Sequence, residues 1–168
     1  SALAKVTDAL VQLAESVRQG RSAEVEATIQ TIEDRHKALA AELPGGTDAL
    51  PALEERFEGL RQLLRPSIGQ PLTPAQRDAL LGQGELWSSA IVAAVMRGKG
   101  LPAEWVDART VIVTDDRHGR ANPISAEIRT RANEVLAPLL SSGRIPVTQG
   151  FIGATASGRS SSPFWLIV

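Results

Sequence analysis

Residues Thr73 to Gly98 constrain the fold of this chain more than any other segment. Thr73 is placed as an N-cap, Pro74 suits the first helical position, and Gln76 completes a capping box. The spacing predicts a helix from here to about Arg97, stopped by Gly98. Its second half is apolar on most sides, through Leu86, Trp87, Ala90, Ile91, Ala93, Ala94 and Val95. Such a helix cannot lie on a surface and must be buried against other elements. The rest of the chain therefore has to supply a wrapping.

The segment before it supplies helices. Leu10, Leu13, Ala14 and Val17 recur at three- and four-residue steps, which predicts a helix over Thr7 to Val17 with Gly20 as its stop. Ser22 is placed to cap a second helix whose stripe is Val25, Ile29, Ile32 and Leu39, with His36 on the same face. Pro44-Gly45-Gly46 breaks it, and Thr47 is placed to cap a third helix with stripe Leu50, Leu53, Phe57, Leu60 and Leu64. Two amphipathic helices joined by so short a turn should form an antiparallel hairpin, over residues 22–65. After Gly98 the character changes. Trp105 to Ala108 and Val111 to Val113 read as short strands, with a turn-rich stretch from Asp115 to Pro123. Ser125 to Leu140 reads as a helix with Ile128, Val135, Leu136 and Leu139 inward, and Ile145 to Gly153 as a strand ending in a glycine loop. Helix followed by strand, twice over, predicts an α/β fold with a parallel sheet. The expected layout is one partial domain over 1–168: helix-rich over 1–100, α/β over 101–158, and an atypical tail over 159–168.

The chain has 168 residues, 43% hydrophobic and 22% charged, an ordinary globular composition. A net charge of −1 gives no electrostatic reason to expect nucleic acid or an anionic membrane as partner. No cysteine is present, which rules out disulfides and cysteine-based nucleophiles or metal sites and fits a reducing cytoplasm. No unbroken apolar run approaches the roughly 20 residues of a membrane span.

Four places could carry chemistry. Ser1 and Thr7 stand at the mouth of the first helix, where hydroxyls and free N–H groups either bind an anion or cap the helix. Glu85 lies between Gly84 and Leu86 in an otherwise apolar helix. It is either a solvated charge near the helix start or a carboxylate awaiting a cationic partner such as a ligand ammonium. Thr114, Asp115 and Asp116 follow a short strand. The acids could hold a metal, or be neutralised by Arg117 and Arg120 in a salt-bridged turn. His118 alone signals no metal site, because His36 is the only other histidine. Gly150, Phe151 and Gly153 form a loop where glycine would let a ligand approach the backbone, although the pattern is neither a Walker loop nor a dinucleotide fingerprint.

The order and wording of these segments carry more than each does alone. Ser1 to Leu10, Gly84-Glu85-Leu86-Trp87-Ser88, Thr114 to Pro123 and Val147 to Ala154 resemble, in family order, four segments of the aspartate kinases within the amino-acid kinase fold. The second is similar to that family's Gly-Glu-Leu-x-Ser motif. The resemblance implies an incomplete three-layer αβα sandwich with a largely parallel sheet and a helical hairpin insertion. It implies phosphorylation of the aspartate side-chain carboxylate by ATP with Mg2+, and a cytoplasmic enzyme, with its oligomeric state, a homo-oligomer among the options, left open. It also implies that Glu85 binds the substrate ammonium, that Ser1 and Thr7 contact substrate, that Thr114 to Pro123 shapes the crevice, and that the hairpin serves as scaffold or subunit contact. No metal-ligand set is implied on this chain.

The sequence departs from the family at both ends. It starts without Met, after the family's Lys-Phe-Gly-Gly-Thr-Ser loop. It ends Ser160 to Val168 where the family continues Thr-Thr-Thr-Leu-Gly-Arg-Gly-Gly-Ser-Asp. With no lysine loop to neutralise a triphosphate, the expectation is weak ATP binding and no activity for the isolated chain. Two other readings are a non-catalytic helical module self-associating through Leu53, Phe57 and Leu60, and an amino-acid kinase acting on glutamate or acetylglutamate.

Overall fold

The structure, a computed structural model, describes residues 2–158 and 160–161. Ser1, Arg159 and the apolar tail 162–168 lie outside the described residues. Six α-helices and five short strands are described: α1 (Val6–Arg18), α2 (Ser22–Glu42), α3 (Leu50–Leu64), α4 (Pro74–Leu81), α5 (Gln83–Gly98), β1 (Ala103–Trp105), β2 (Val113–Thr114), α6 (Ser125–Ser141), β3 (Ile145–Val147), β4 (Gly153–Thr155) and β5 (Ser160–Ser161). β1 pairs with β3 and β2 with β4, both parallel, while β5 adds to β4 antiparallel. The α/β class and the parallel pairing expected from the sequence are both present, with the strands divided between a two-stranded and a three-stranded sheet.

The capping box forms as expected. Gln76 N donates to Thr73 Oγ1 at 3.2 Å, and Thr73 N donates to Gln76 Oε1 at 2.9 Å. The helix it starts is not uniform. Pro74–Gly98 runs as one rod of 25 residues, with α4 and α5 separated at Gly82. This rod is long and apolar enough to cross a membrane by length and composition, a property that scanning for unbroken apolar runs misses. Two-thirds (67%) of its most apolar window is buried within the fold, which marks it as a core helix.

α1, α2 and α3 pack around this rod. Leu10, Leu13 and Val17 of α1, Ile29 of α2 and Leu53, Phe57, Leu60 and Leu64 of α3 are all buried in one core with Leu80, Trp87 and Ile91. Leu53, Phe57 and Leu60 are thus consumed inside the chain, so the stripe proposed for self-association is not a surface. Phe57 stacks on Trp87 with ring centroids 4.1 Å apart, and His36 meets the Trp87 ring edge-on at 5.2 Å. The turn between α2 and α3 docks on the end of α5. A Cβ on Gly45 would lie 2.5 Å from Gly98 Cα, and one on Gly98 would lie 2.6 Å from Gly45 Cα. Only two glycines permit that approach. Glu33 bridges the hairpin, receiving Lys37 at 2.8 Å and Arg61 at 2.8 Å. Burial opposes ionisation of Glu33, but these two cations outweigh it and hold the carboxyl below its ordinary range.

Several local expectations change. Lys5 and Arg21, neither with a side-chain cap bond, occupy the N-cap positions expected of Thr7 and Ser22, and Thr47 falls in a 3-10 turn ahead of α3. The segment Trp105 to Ala108 is not all strand. Asp107 Oδ1 accepts from Arg109 N at 3.0 Å and turns the chain into a 3-10 helix at Ala108–Thr110. Ile145 to Gly153 is two strands with a loop between them. α6 buries none of its residues fully, and its main contacts are with β2 and β3. Its apolar stripe is half-buried and Leu140 is 60% exposed.

Candidate substrate-recognition site

The rod carries a buried polar stripe. Asp78, Gly82, Glu85 and Ser89 follow one another at steps of four, three and four residues, which places them along one helix face. All four are buried, and the three side chains each engage a different segment of the chain. Buried polar groups are costly unless bonded, so the contacts of this stripe define what the fold holds in register.

Glu85 stands in the first turn of α5 with 9% of its surface exposed, so it is not the solvated charge that was one of its two readings. Its Oε1 accepts a hydrogen bond from Ala2 N at 2.9 Å. Gly84 makes this possible, since a Cβ there would come within 2.8 Å of Ala2 Cβ and 3.1 Å of Val6 Cγ1. The remaining residues of the motif have separate tasks. Leu86 joins a small second core with Ala108 and Ile152, Trp87 stacks on Phe57, and Ser88 Oγ donates to Glu85 O at 3.2 Å. Thr7 is exposed at the second position of α1, and Ser1 lies outside the described residues.

Ser89 is a node that the sequence reading passed over. Its hydroxyl accepts from Trp105 Nε1 at 2.9 Å and from Gln149 Nε2 at 2.8 Å, and donates to Leu86 O at 3.1 Å. Gln149 is buried, and its Oε1 accepts from Ala108 N at 2.8 Å while Nε2 also reaches Val106 O at 3.2 Å. One amide thereby ties the β3–β4 loop to α5, to Val106 just after β1 and to the Ala108 turn. Beyond it, Gly150 and Phe151 are exposed, and Phe151 holds φ 64. A bulky residue in the left-handed region is uncommon and costs of order 1 kcal/mol or more. Gly153 faces protein: a Cβ on it would lie 2.8 Å from Ile112 O. Arg56 of α3 sits 4.2 Å above the Trp105 ring, linking the hairpin to this network.

Thr114 is buried at the end of β2, with its Oγ1 2.6 Å from Ser161 Oγ. Asp115 closes the following turn. Its Oδ1 accepts from Asn122 N at 3.0 Å and its Oδ2 from Asn122 Nδ2 at 2.9 Å, and these bonds hold its carboxyl below the usual range. Arg117 is farther, at 3.8 Å, so asparagine rather than arginine is the main tie. Asp116 is exposed. The two acids do not converge, and among the described residues no group of three or more His, Asp or Glu could hold a metal ion. Asp78, unremarked in the sequence reading, receives Gly119 N at 2.9 Å and His118 Nδ1 at 3.3 Å. Its signal was present as a charge in helical phase with Glu85. A groove of about 320 Å3 between α2 and α3, lined by Val25, Ile29, Arg61 and Leu64 among others, contains none of these residues.

Known proteins resemble this chain in sequence and in fold. The lysine-sensitive aspartokinase 3 of Escherichia coli is 33% identical over 162 residues, which cover 96% of this chain and 35% of that protein. The aspartokinase of Chlamydia muridarum is 31% identical, covering 96% of this chain and 34% of that enzyme. The chain thus spans about a third of the length of these relatives. The crystal structure of E. coli aspartokinase III with lysine and aspartate superposes with a TM-score of 0.86 at 31% identity, over 98% of this chain and 36% of that one. The same enzyme with aspartate and ADP gives 0.83 at 32% identity, over 96% and 35%. A profile of the amino acid kinase family matches residues 1–166. By fold, by motif order and by that match, the chain belongs to the amino acid kinase family.

Proposed function

We propose that this chain carries the amino-acid recognition side of an aspartate kinase. The reaction is transfer of the γ-phosphoryl group of ATP to the side-chain carboxylate of aspartate. A carboxylate oxygen forms a bond to the γ-phosphorus as the bond to the β–γ bridging oxygen breaks, giving β-aspartyl phosphate and ADP. The observation that carries the reading is Glu85, a buried carboxylate on the central rod in a Gly-Glu-Leu-x-Ser context. A carboxylate held in a low-dielectric site is suited to receive an α-ammonium group, and the site recognises the amino end while the other carboxylate reacts. A relative solved with aspartate and ADP supports the substrate pair.

In this reading residues 1–168 are part of one amino acid kinase domain working in the cytoplasm. Thr7, with Ser1 outside the described residues, lies on the substrate side, the turn from Thr114 forms one wall, and Gly150 and Phe151 form another. Among the described residues no group of three or more acids or histidines could cage a metal ion, and both Asp115 oxygens are engaged by Asn122. No step is therefore assigned to a metal on this chain.

Calorimetry with aspartate and with succinate, which lacks the ammonium, tests the reading. Aspartate should bind and succinate should not. Glu85→Gln should weaken aspartate about tenfold or more, as loss of a charge-assisted hydrogen bond of about 1.5–3 kcal/mol requires. Equal binding of the two diacids, or an unaffected Glu85→Gln variant, would refute it. N-acetylglutamate, whose nitrogen is uncharged, should likewise fail to bind.

A further inference from the structure

We propose that Asp78 and His118 form a buried clamp that positions the Asp115–Arg120 turn against the same rod that presents Glu85. As a positioning role for substrate recognition, this rests on the reading given above. The clamp itself rests on geometry alone.

Asp78 lies on α4 with only 5% of its side chain exposed, and His118 lies opposite with 11%. One carboxylate oxygen, Oδ2, receives both His118 Nδ1 and Gly119 N. A carboxylate can only accept, so the His118 imidazole must carry its proton on Nδ1. Its Nε2 is buried and has no partner among the described residues. Either ring nitrogen of a neutral imidazole can carry the proton, and the bond to the carboxylate is what selects Nδ1 here. Within the turn, Asp115 bonds Asn122 through its side chain, and Asp115 N donates to Asn122 O at 3.0 Å. Those bonds set its shape. The bonds to Asp78 cross 40 and 41 residues of sequence and fix its place relative to α4.

Asp78 and Glu85 are seven residues apart on one rod, two turns along one face. A shift of the turn relative to α4 is therefore a shift relative to Glu85. The turn carries Asp116, Arg117 and Arg120, whose charges would be held in register with the carboxylate that recognises the ammonium end. A small displacement of a positioned charge weakens recognition without touching the ligand contact itself.

The chain has two histidines, so 15N-resolved spectra of the imidazoles assign readily. The expected result near pH 8 is the Nδ1-protonated form of His118, with Gly119 amide exchange about tenfold faster in Asp78→Asn than in the parent chain. His118→Asn, which keeps a donor near the Nδ1 position, should retain slow Gly119 exchange and aspartate affinity. His118→Phe, which keeps the bulk but not the donor, should lose about three- to tenfold in aspartate affinity with an unchanged melting temperature. An Nε2-protonated His118 together with Gly119 exchange indifferent to Asp78→Asn would overturn the clamp. An intact clamp with aspartate affinity equal in His118→Phe and the parent would overturn the positioning role. Should aspartate bind neither variant nor parent, the positioning role falls with the substrate reading, while the imidazole and exchange results decide the clamp separately.

Discussion

His36 should make the stability of this fold depend on pH in a window where its carboxylates contribute little. The ring is fully buried between Phe57 and Trp87. Nδ1 lies 2.7 Å from Ile32 O, so it carries the proton, and Nε2 is buried with no partner. A second proton would place a charge at Nε2 with nothing to receive it, and burial accordingly pushes the pKa below its ordinary 6.5. In the unfolded chain the imidazole takes up a proton near that ordinary value, while in the folded chain it does so only at lower pH. The unfolded state therefore binds more protons between the two values, and stability falls as pH falls through that window. Above the window the contribution is complete. One proton corresponds to a slope of up to about 1.4 kcal/mol per pH unit. Going from pH 7 to 5.5 then costs up to about 1.3 kcal/mol. The assay is urea unfolding followed by tryptophan fluorescence, for which buried Trp87 is a natural reporter, on the parent chain and on His36→Leu. The variant removes the titrating ring yet orphans no backbone group, because Ile32 O still accepts from the helix. The parent midpoint should fall relative to the variant's as pH is lowered. Equal slopes in the two chains across pH 7 to 5.5 would refute the reasoning.

Two further expectations follow from close packing. Gly98→Ala should destabilise the fold by about 1–3 kcal/mol, because its Cβ would press on Gly45 Cα and Pro44 O, both backbone atoms that cannot rotate away; urea unfolding measures it, and a loss under half of one kcal/mol would contradict the contact. Gln149→Leu should leave Ala108 N and Ser89 Oγ short of partners and cost about 1–3 kcal/mol, with faster amide exchange at Ala108 as its local signature.

Much of this was legible in sequence where periodicity and capping agree. The hairpin stripes, the Pro44 to Gly46 break and the Thr73 capping box each follow from local chemistry, and each appears at its place. The strands were harder. They are two or three residues long, too short for alternation to register, and Asp107 diverts the chain through a bond to its own backbone. α6 reads as amphipathic, yet periodicity says which face is apolar and not how completely it is covered. At the site, Glu85 stood out because its neighbours are apolar. Asp78 and Ser89 were overlooked because an acid beside Arg77 and a serine beside Ser88 each look ordinary. Only their common phase with Glu85 sets them apart, and that phase becomes meaningful once the rod is known to be buried on that side too.

The two cores of this fold differ in size, and that has a consequence for how the chain opens. Among the described residues, eighteen buried ones join α1 to α5 in one cluster, whereas the second has Leu86, Ala108 and Ile152 with Trp105 and Ile112 packed against them. Local opening follows the apolar contact that must be broken, so the helical half sets the global barrier and the strand-bearing half sits well below it. In the proposed reading, the walls of the site belong to the half that opens easily, and Glu85 belongs to the half that does not. Ligand entry would then proceed by excursions of the strand-bearing part alone, with the Glu85 carboxylate held still throughout.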